Sequence, residues 1–409
     1  MRTNFNGRQR HIFWGCFLGY LAAYVARLNI SAALPGLMGS MRLTDAQGGM
    51  FQTVFALVYA TGQLVNGAIV DRVSARIHIF LGLLFSAACN LLFGLAQTYW
   101  LLIALWALNG AAQSMLWTPI VKLLAAWFHG RLRARASFGL SICLIAGNIL
   151  AWALSGILAT MFSWRLSFLF PAAIAAAAGF VCLSLLQDNP DEGEFLGEEI
   201  PAHPQILHNP TVSIGYILRK TGLWAVLLCC VCNGFVRDGI TTWAPTIVAD
   251  LVGGLAAEST VVSLIIPTLN ILGILLARYC FHIFKDDARV CTGCLMTLSA
   301  ILALALLPAQ ASGIVCTLLL GLCCASVYGL NPMLTSMVPM EYAPVGHVAL
   351  VAGIVDCAIY LGSSLAGVGI GAVSDASGWS AVFILWSVTA AAGLVFAFLS
   401  LRGKKMLNV

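Results

Sequence analysis

Charge is scarce in this chain: only 9% of its 409 residues are Asp, Glu, Lys or Arg, while 60% are hydrophobic. A water-soluble core of that composition would have too little polar surface to cover it, so a soluble fold is excluded and the solvent is lipid. Polar stretches are equally scarce, the one long example running from Asp188 to Lys220. The alternating ~10-residue strands of an outer-membrane barrel are missing; instead, apolar runs long enough to cross ~30 Å of hydrocarbon as helices recur from end to end. Catalytic signatures are also missing. The Gly-rich stretches follow no strand and no nucleophile–base pair is recognisable, so the chain is read as no enzyme and as needing no cofactor. The fourteen cysteines fall almost entirely inside apolar spans, where they behave as small hydrophobes. Cys291 and Cys294 have C-x-x-C spacing, but no second pair or histidine accompanies them and no metal site is assigned.

What is present is an all-α membrane protein. Spans are expected at roughly 11–37, 46–70, 77–96, 99–127, 135–162, 166–187, 222–249, 259–284, 288–308, 311–339, 347–373 and 379–401, twelve transmembrane helices in all. The polar segment divides them into an N-terminal six-helix half (1–187), a cytoplasmic linker (188–221) and a C-terminal six-helix half (222–409). Nearly all Lys and Arg residues, from Arg2, Arg8 and Arg10 to Arg402 and Lys404, fall on the N-terminal side of the membrane, with Arg42 and Arg165 opposite. The positive-inside rule then places both termini in the cytoplasm, and the expected location is the inner (plasma) membrane of a bacterium. The net charge of +5 is a topology signal and gives no reason to invoke nucleic acid.

The halves repeat one another. Arg27 precedes Pro35 by eight residues and Arg237 precedes Pro245 by eight; Ser163-Trp164 leading to Phe168 is echoed by Gly378-Trp379 leading to Phe383. Six spans, a central loop and six more is the major facilitator architecture, in which substrate binds near the midplane and access alternates. Gly67-x-x-x-Asp71-Arg72-x-x-x-Arg76 resembles the signature of that superfamily, with Ser74 and Ala75 departing from its usual Gly and Arg. Asp71 and Arg72 are therefore expected to act in gating, a carboxylate at the cytoplasmic rim meeting a helix N-terminus.

Four charges lie deep in the expected spans: Arg27, Arg237, Asp238 and Asp356. Each costs ~2.5–3.5 kcal/mol at a helix centre, so together they oppose insertion by roughly 10 kcal/mol unless they meet one another or a polar cavity. Buried salt bridges are one reading. The other is a binding site, since arginines at equivalent positions of two repeats suit a shared anion held bidentately. Tyr20, Tyr24 and Arg27 fall at i, i+4 and i+7, on one helical face. Tyr59 with Gln63, and Asn109 with Gln113 and Trp117, repeat the i, i+4 pattern and extend a polar stripe whose members also suit interhelical hydrogen bonds.

The segment Gly19–Asn29 followed by Pro35 resembles helix 1 of the organophosphate:phosphate antiporters, which include the glycerol-3-phosphate and hexose-phosphate exchangers. Further matches are Gln113-x-x-x-Trp117-x-Pro119, Arg237 with Trp243-x-Pro245, Tyr328-Gly329 with Pro332, Glu341-x-Ala343-Pro344 and Tyr360-Leu-Gly362. The resemblance implies alternating-access exchange of a small organic anion, with phosphate or protons as counter-substrate and a monomeric state. It also implies that Arg27 and Arg237 hold the acidic group while Tyr20, Tyr24 and Tyr59 line the cavity. Departures matter as much. Gln63 stands where these antiporters carry a lysine, and Asp356 where the glycerol-phosphate member has a small residue; both changes lower the positive charge. A carboxylate, a sulfonate or a zwitterion then fits as well as a phosphate ester. Asp356 and Asp238 are the candidate coupling residues, which leaves proton symport open, and a membrane sensor that binds without transport is the reading from another class.

Overall fold

The computed structural model describes residues 5–69, 73–128, 130–190, 218, 221–252, 264–284, 287–310, 312–342 and 348–404. Asp71 and Arg72, the residues expected to act in gating, and nearly all of the linker lie outside them. The described residues form α1 (Gly7–Met41), α2 (Asp45–Ile69), α3 (Ala75–Leu95), α4 (Tyr99–Ser114), α5 (Trp117–Trp127), α6 (Gly130–Met161), α7 (Leu166–Leu185), α8 (Leu223–Val252), α9 (Ile265–Ile283), α10 (Ala288–Ala309), α11 (Gly313–Pro332) and α12 (Val348–Lys404). After α11 the chain continues through a π-helical turn, Met333–Met337, into Val338–Met340.

Ten described segments are long and apolar enough to cross a membrane. One combines α4 with most of α5, across the break at Met115 and Leu116. Another lies in α12, which at 57 residues is far longer than the ~20 needed for one crossing and turns at Gly378, with φ 74° and ψ 179°. The last two expected spans therefore meet at a single residue, and only glycine adopts that backbone without strain. The remaining expected span is α2, whose 25 residues suffice in length but include Gln52, Thr53, Gln63 and Asn66. Ser74, one of the departures from the signature motif, caps α3 by accepting the Ile77 amide at 3.2 Å.

Packing divides the chain into two compact units: residues 1–41 with 58–202, and residues 42–57 with 203–409. In the first, α1 packs on α6, where a Cβ on Gly147 would strike Tyr24, and α3 packs on α7 around Gly179. Stacked rings of Phe93 and Phe168, 4.1 Å apart, and the nearby Trp106 fill the space between α3, α4 and α7. In the second unit the same pairing recurs: α8 packs on the first part of α12 and α10 on its second part. Lipid gives helices little hydrophobic reason to associate, so close approach over small residues is the device used. Gly234 lies against the Ile359 carbonyl and Gly49 against that of Gly367, so any side chain there would force the helices apart. Within this unit Asp375 also accepts the amides of Asp45 and Ala46, each at 2.8 Å, and caps α2.

Candidate functional site

The first unit gathers most of the expected binding residues around Arg27. Its guanidinium carbon lies 4.7 Å from the centre of the Tyr59 ring and 5.6 Å from that of Tyr24, within cation–π range. Tyr24 packs edge-on against Tyr20 (5.2 Å), and Tyr20 leans on Trp117 (5.1 Å). The Gln63 amide donates to the Tyr59 hydroxyl at 2.7 Å and its carbonyl receives the Thr118 hydroxyl at 3.4 Å. One arginine, three tyrosines, a tryptophan and two neutral polar side chains thus form a continuous patch built by α1, α2 and α5. Thr118 was absent from the sequence expectation; its place directly after Trp117 is the signal that would have found it.

Gln113 is placed differently. Its side-chain nitrogen donates to the Ala23 carbonyl at 3.1 Å and to Ser86 at 2.9 Å; Ser86 donates to Asn109, and Asn109 reaches the Ala26 carbonyl. With Asn29 donating to Asn90 at 2.9 Å, this is a buried network tying α1, α3 and α4 together. Such bonds add roughly 0.6–2 kcal/mol apiece in a membrane and fix the face on which α1 presents Arg27.

The second unit holds its arginine by charge. Arg237, 9% exposed, donates through Nε to one Asp238 oxygen at 2.7 Å and through Nη2 to the other at 2.9 Å, while Nη1 donates to Asn331 Oδ1 at 2.7 Å. The Tyr328 ring centre is 5.9 Å away. Of the two candidate coupling acids, Asp356 lies on α12 and Asp238 beside the arginine on α8. The bidentate pair goes to Asp238, the adjacent residue, whose carboxylate needs no second helix to reach it. One turn before Arg237, Asn233 is fully buried and neither of its amide atoms has a hydrogen-bond partner among the described residues, an arrangement that costs about 1–3 kcal/mol.

Near the membrane edge, Arg289 is 2% exposed and holds the first turn of α10 to three other segments. It pairs with Glu341 at 2.8 Å and donates to the carbonyls of Thr221 (3.1 Å) and Ser400 (2.6 Å). In the sequence Arg289 counts only among the basic residues on the N-terminal side of the membrane; Glu341, already noted in a motif, is the available clue.

The sequence profile of the Major Facilitator Superfamily matches residues 16–366. The chain belongs to the major facilitator superfamily. It resembles the organophosphate:phosphate antiporters within it. The glycerol-3-phosphate transporter of Bacillus subtilis (strain 168) is 25% identical over 95% of this chain and 91% of its own length. The membrane sensor protein UhpC of Salmonella typhimurium (strain LT2) is 27% identical over 63% of this chain and 60% of its own length. A bacterial homologue of the human lysosomal transporter Spinster has a crystal structure of the same fold, with a TM-score of 0.78 over 99% of this chain and 98% of that one, at 14% identity. In this facilitator the two arginines that follow the repeat thus differ in their described contacts, with Tyr24 and Tyr59 rings beside Arg27 and the Asp238 carboxylate on Arg237.

Proposed function

We propose that this facilitator is a secondary transporter of a small organic anion carrying one negative charge, moved by alternating access in exchange for another anion. Arg27 holds the acidic group, Tyr20, Tyr24 and Tyr59 line the path beside it, and Gln63 and Thr118 meet the neutral polar part of the substrate. The single observation that carries this reading is the pair between Arg237 and Asp238. With that pair formed, the intramembrane charges Arg27, Arg237, Asp238 and Asp356 sum to zero when both acids are ionised. Added to those charges, a dianionic phosphate ester leaves an excess of two negative charges, whereas a carboxylate, a sulfonate or a singly ionised ester leaves an excess of only one, the smaller electrostatic cost. Arg237 then contributes through its remaining N–H donors and by trading Asp238 for substrate during the cycle.

Counterflow tests the proposal. Proteoliposomes loaded with phosphate or with organic anions are challenged with a labelled panel of carboxylates, sulfonates and phosphate monoesters at pH 5.5 and 7.5. Exchange of monoanions supports it; exchange confined to phosphate and dianionic esters refutes it. Asp356 favours a second reading, proton symport, because it is an acid within the apolar first part of α12. Uptake driven by an imposed pH gradient in wild type but not in Asp356→Asn would establish symport. The relative named as a membrane sensor protein favours a third, ligand sensing, which any robust turnover in the same vesicles eliminates.

A further inference from the structure

Away from the central residues, a cleft of about 610 Å³ opens between the first turns of α1 and α6. The two helices run parallel there: Gly139 lies against Phe13, and Cys143 donates to the Phe17 carbonyl at 3.2 Å. Arg10 on α1 and Arg135 on α6 accordingly stand at one level, both exposed. Trp14 and Gly139 follow one turn deeper, about 5.4 Å along the axes, with Ile142 about a turn beyond. Trp14 is 51% exposed and Ile142 52%, on apolar helices whose outer faces meet hydrocarbon. The floor is aromatic. Phe5 and Phe13 lie 5.4 Å apart, Phe13 and Trp14 5.5 Å, and the Arg135 guanidinium sits 5.9 Å over the Phe5 ring. No acidic side chain lines the cleft among the described residues. It therefore grades from two guanidinium groups at the helix starts to bare apolar surface one or two turns inward.

We infer that this cleft binds the headgroup phosphate of an anionic phospholipid from the leaflet on the N-terminal side. Arg10 and Arg135 take the phosphate oxygens, Trp14 sits at the level of the glycerol esters, and the acyl chain runs along Ile142. The gradient of the cleft matches that of a lipid, cationic where the head is anionic and apolar where the tail begins, and basic pockets between helices at this depth suit such heads. Inorganic phosphate shares the head's charge but has no chain to cover Trp14 and Ile142. The inference is independent of what the central residues transport.

Trp14 reports on the site directly. The wild-type protein, a Trp14→Phe control and an Arg10→Gln/Arg135→Gln variant are reconstituted in phosphatidylcholine vesicles with a small mole fraction of brominated phosphatidylglycerol or brominated phosphatidylcholine. The Trp14 signal is the difference between each protein and the same protein carrying Trp14→Phe. At roughly fivefold per arginine, the brominated anionic lipid should quench Trp14 at a mole fraction ten or more times lower than its neutral counterpart. The double Gln variant should lose that preference, and an Arg10→Lys/Arg135→Lys variant should keep most of it, which separates charge from loss of fold. Equal quenching by the two lipids in wild type, an undiminished preference in the Gln variant, or relief of quenching by millimolar inorganic phosphate would each overturn the assignment.

Discussion

Arg27 and Arg237 stand in register, each eight residues before a proline inside its helix, yet their surroundings differ in kind. Arg27 lies against the rings of Tyr24 and Tyr59; Arg237 is clasped by Asp238 and Asn331. A ring face attracts a guanidinium through its quadrupole, whereas a bidentate carboxylate takes up two of its N–H donors and cancels its charge. Sequence symmetry between the halves therefore does not carry over to electrostatic symmetry.

The largest effect should come from Arg27. Arg27→Gln is expected to lower uptake in proteoliposomes by about 100-fold or more, as loss of one partner of a buried charge pair does, and Arg27→Lys should not restore it because an ammonium neither stacks on rings nor binds bidentately. If both variants transport within a few-fold of wild type, the ring-lined arginine is not the anion site. Next is the pair in the other half. Arg237→Gln leaves Asp238, whose side chain is only 14% exposed, without its cation and should cost about 3 kcal/mol of stability in thermal unfolding, most of it recovered in Arg237→Gln/Asp238→Asn. Failure of the double variant to recover would mean that Asp238 is held by something other than Arg237.

The fold was legible because lipid imposes it: spans of the needed length, a repeat in register and small residues at helix contacts all follow from composition and spacing. The sequence pattern ends the eleventh span at 373, but helix continues to Gly378, since one glycine with positive φ is enough to turn the chain. The site was legible on one face only. The spacing of Tyr20, Tyr24 and Arg27 gave the face of α1, and Tyr59 with Gln63 gave its neighbour. Periodicity cannot say what a face meets, however, and the stripe of Asn109, Gln113 and Trp117 split. Gln113 and Asn109 went into the network behind α1, while Trp117 went to Tyr20. Asp238 was missed as the partner of Arg237 because adjacent helical residues point about 100° apart, and only the length and bend of the arginine bring the two together. Asn331 and Arg289 were missed for a related reason: a single polar residue at a helix end has no periodicity to reveal its partner.

Smaller effects sharpen the comparison within the first unit. Gln63→Lys restores the cation that the resembling antiporters carry, beside Tyr59, and should raise preference for a dianionic phosphate ester over a carboxylate by roughly tenfold in competition assays. No change in preference would show that Gln63 lies off the substrate path. Tyr59→Phe removes the hydroxyl that receives the Gln63 amide but keeps the ring under Arg27, so uptake should fall only about two- to fivefold, the worth of one net hydrogen bond. A much larger loss would show that the hydroxyl, and not the ring, serves the substrate.

The central claim, that the substrate carries a single negative charge, is tested most directly by following one ligand through its own ionisation. The inhibition constant of a phosphate monoester, whose second ionisation falls near pH ~6, is measured in competition with transported substrate from pH 5 to 8, with a permanently monoanionic sulfonate as control. After division by the sulfonate's own pH response, which absorbs any titration of the protein, the ester should bind at least several-fold more weakly at pH 8 than at pH 5. An ester that binds more tightly as it becomes dianionic would contradict the account.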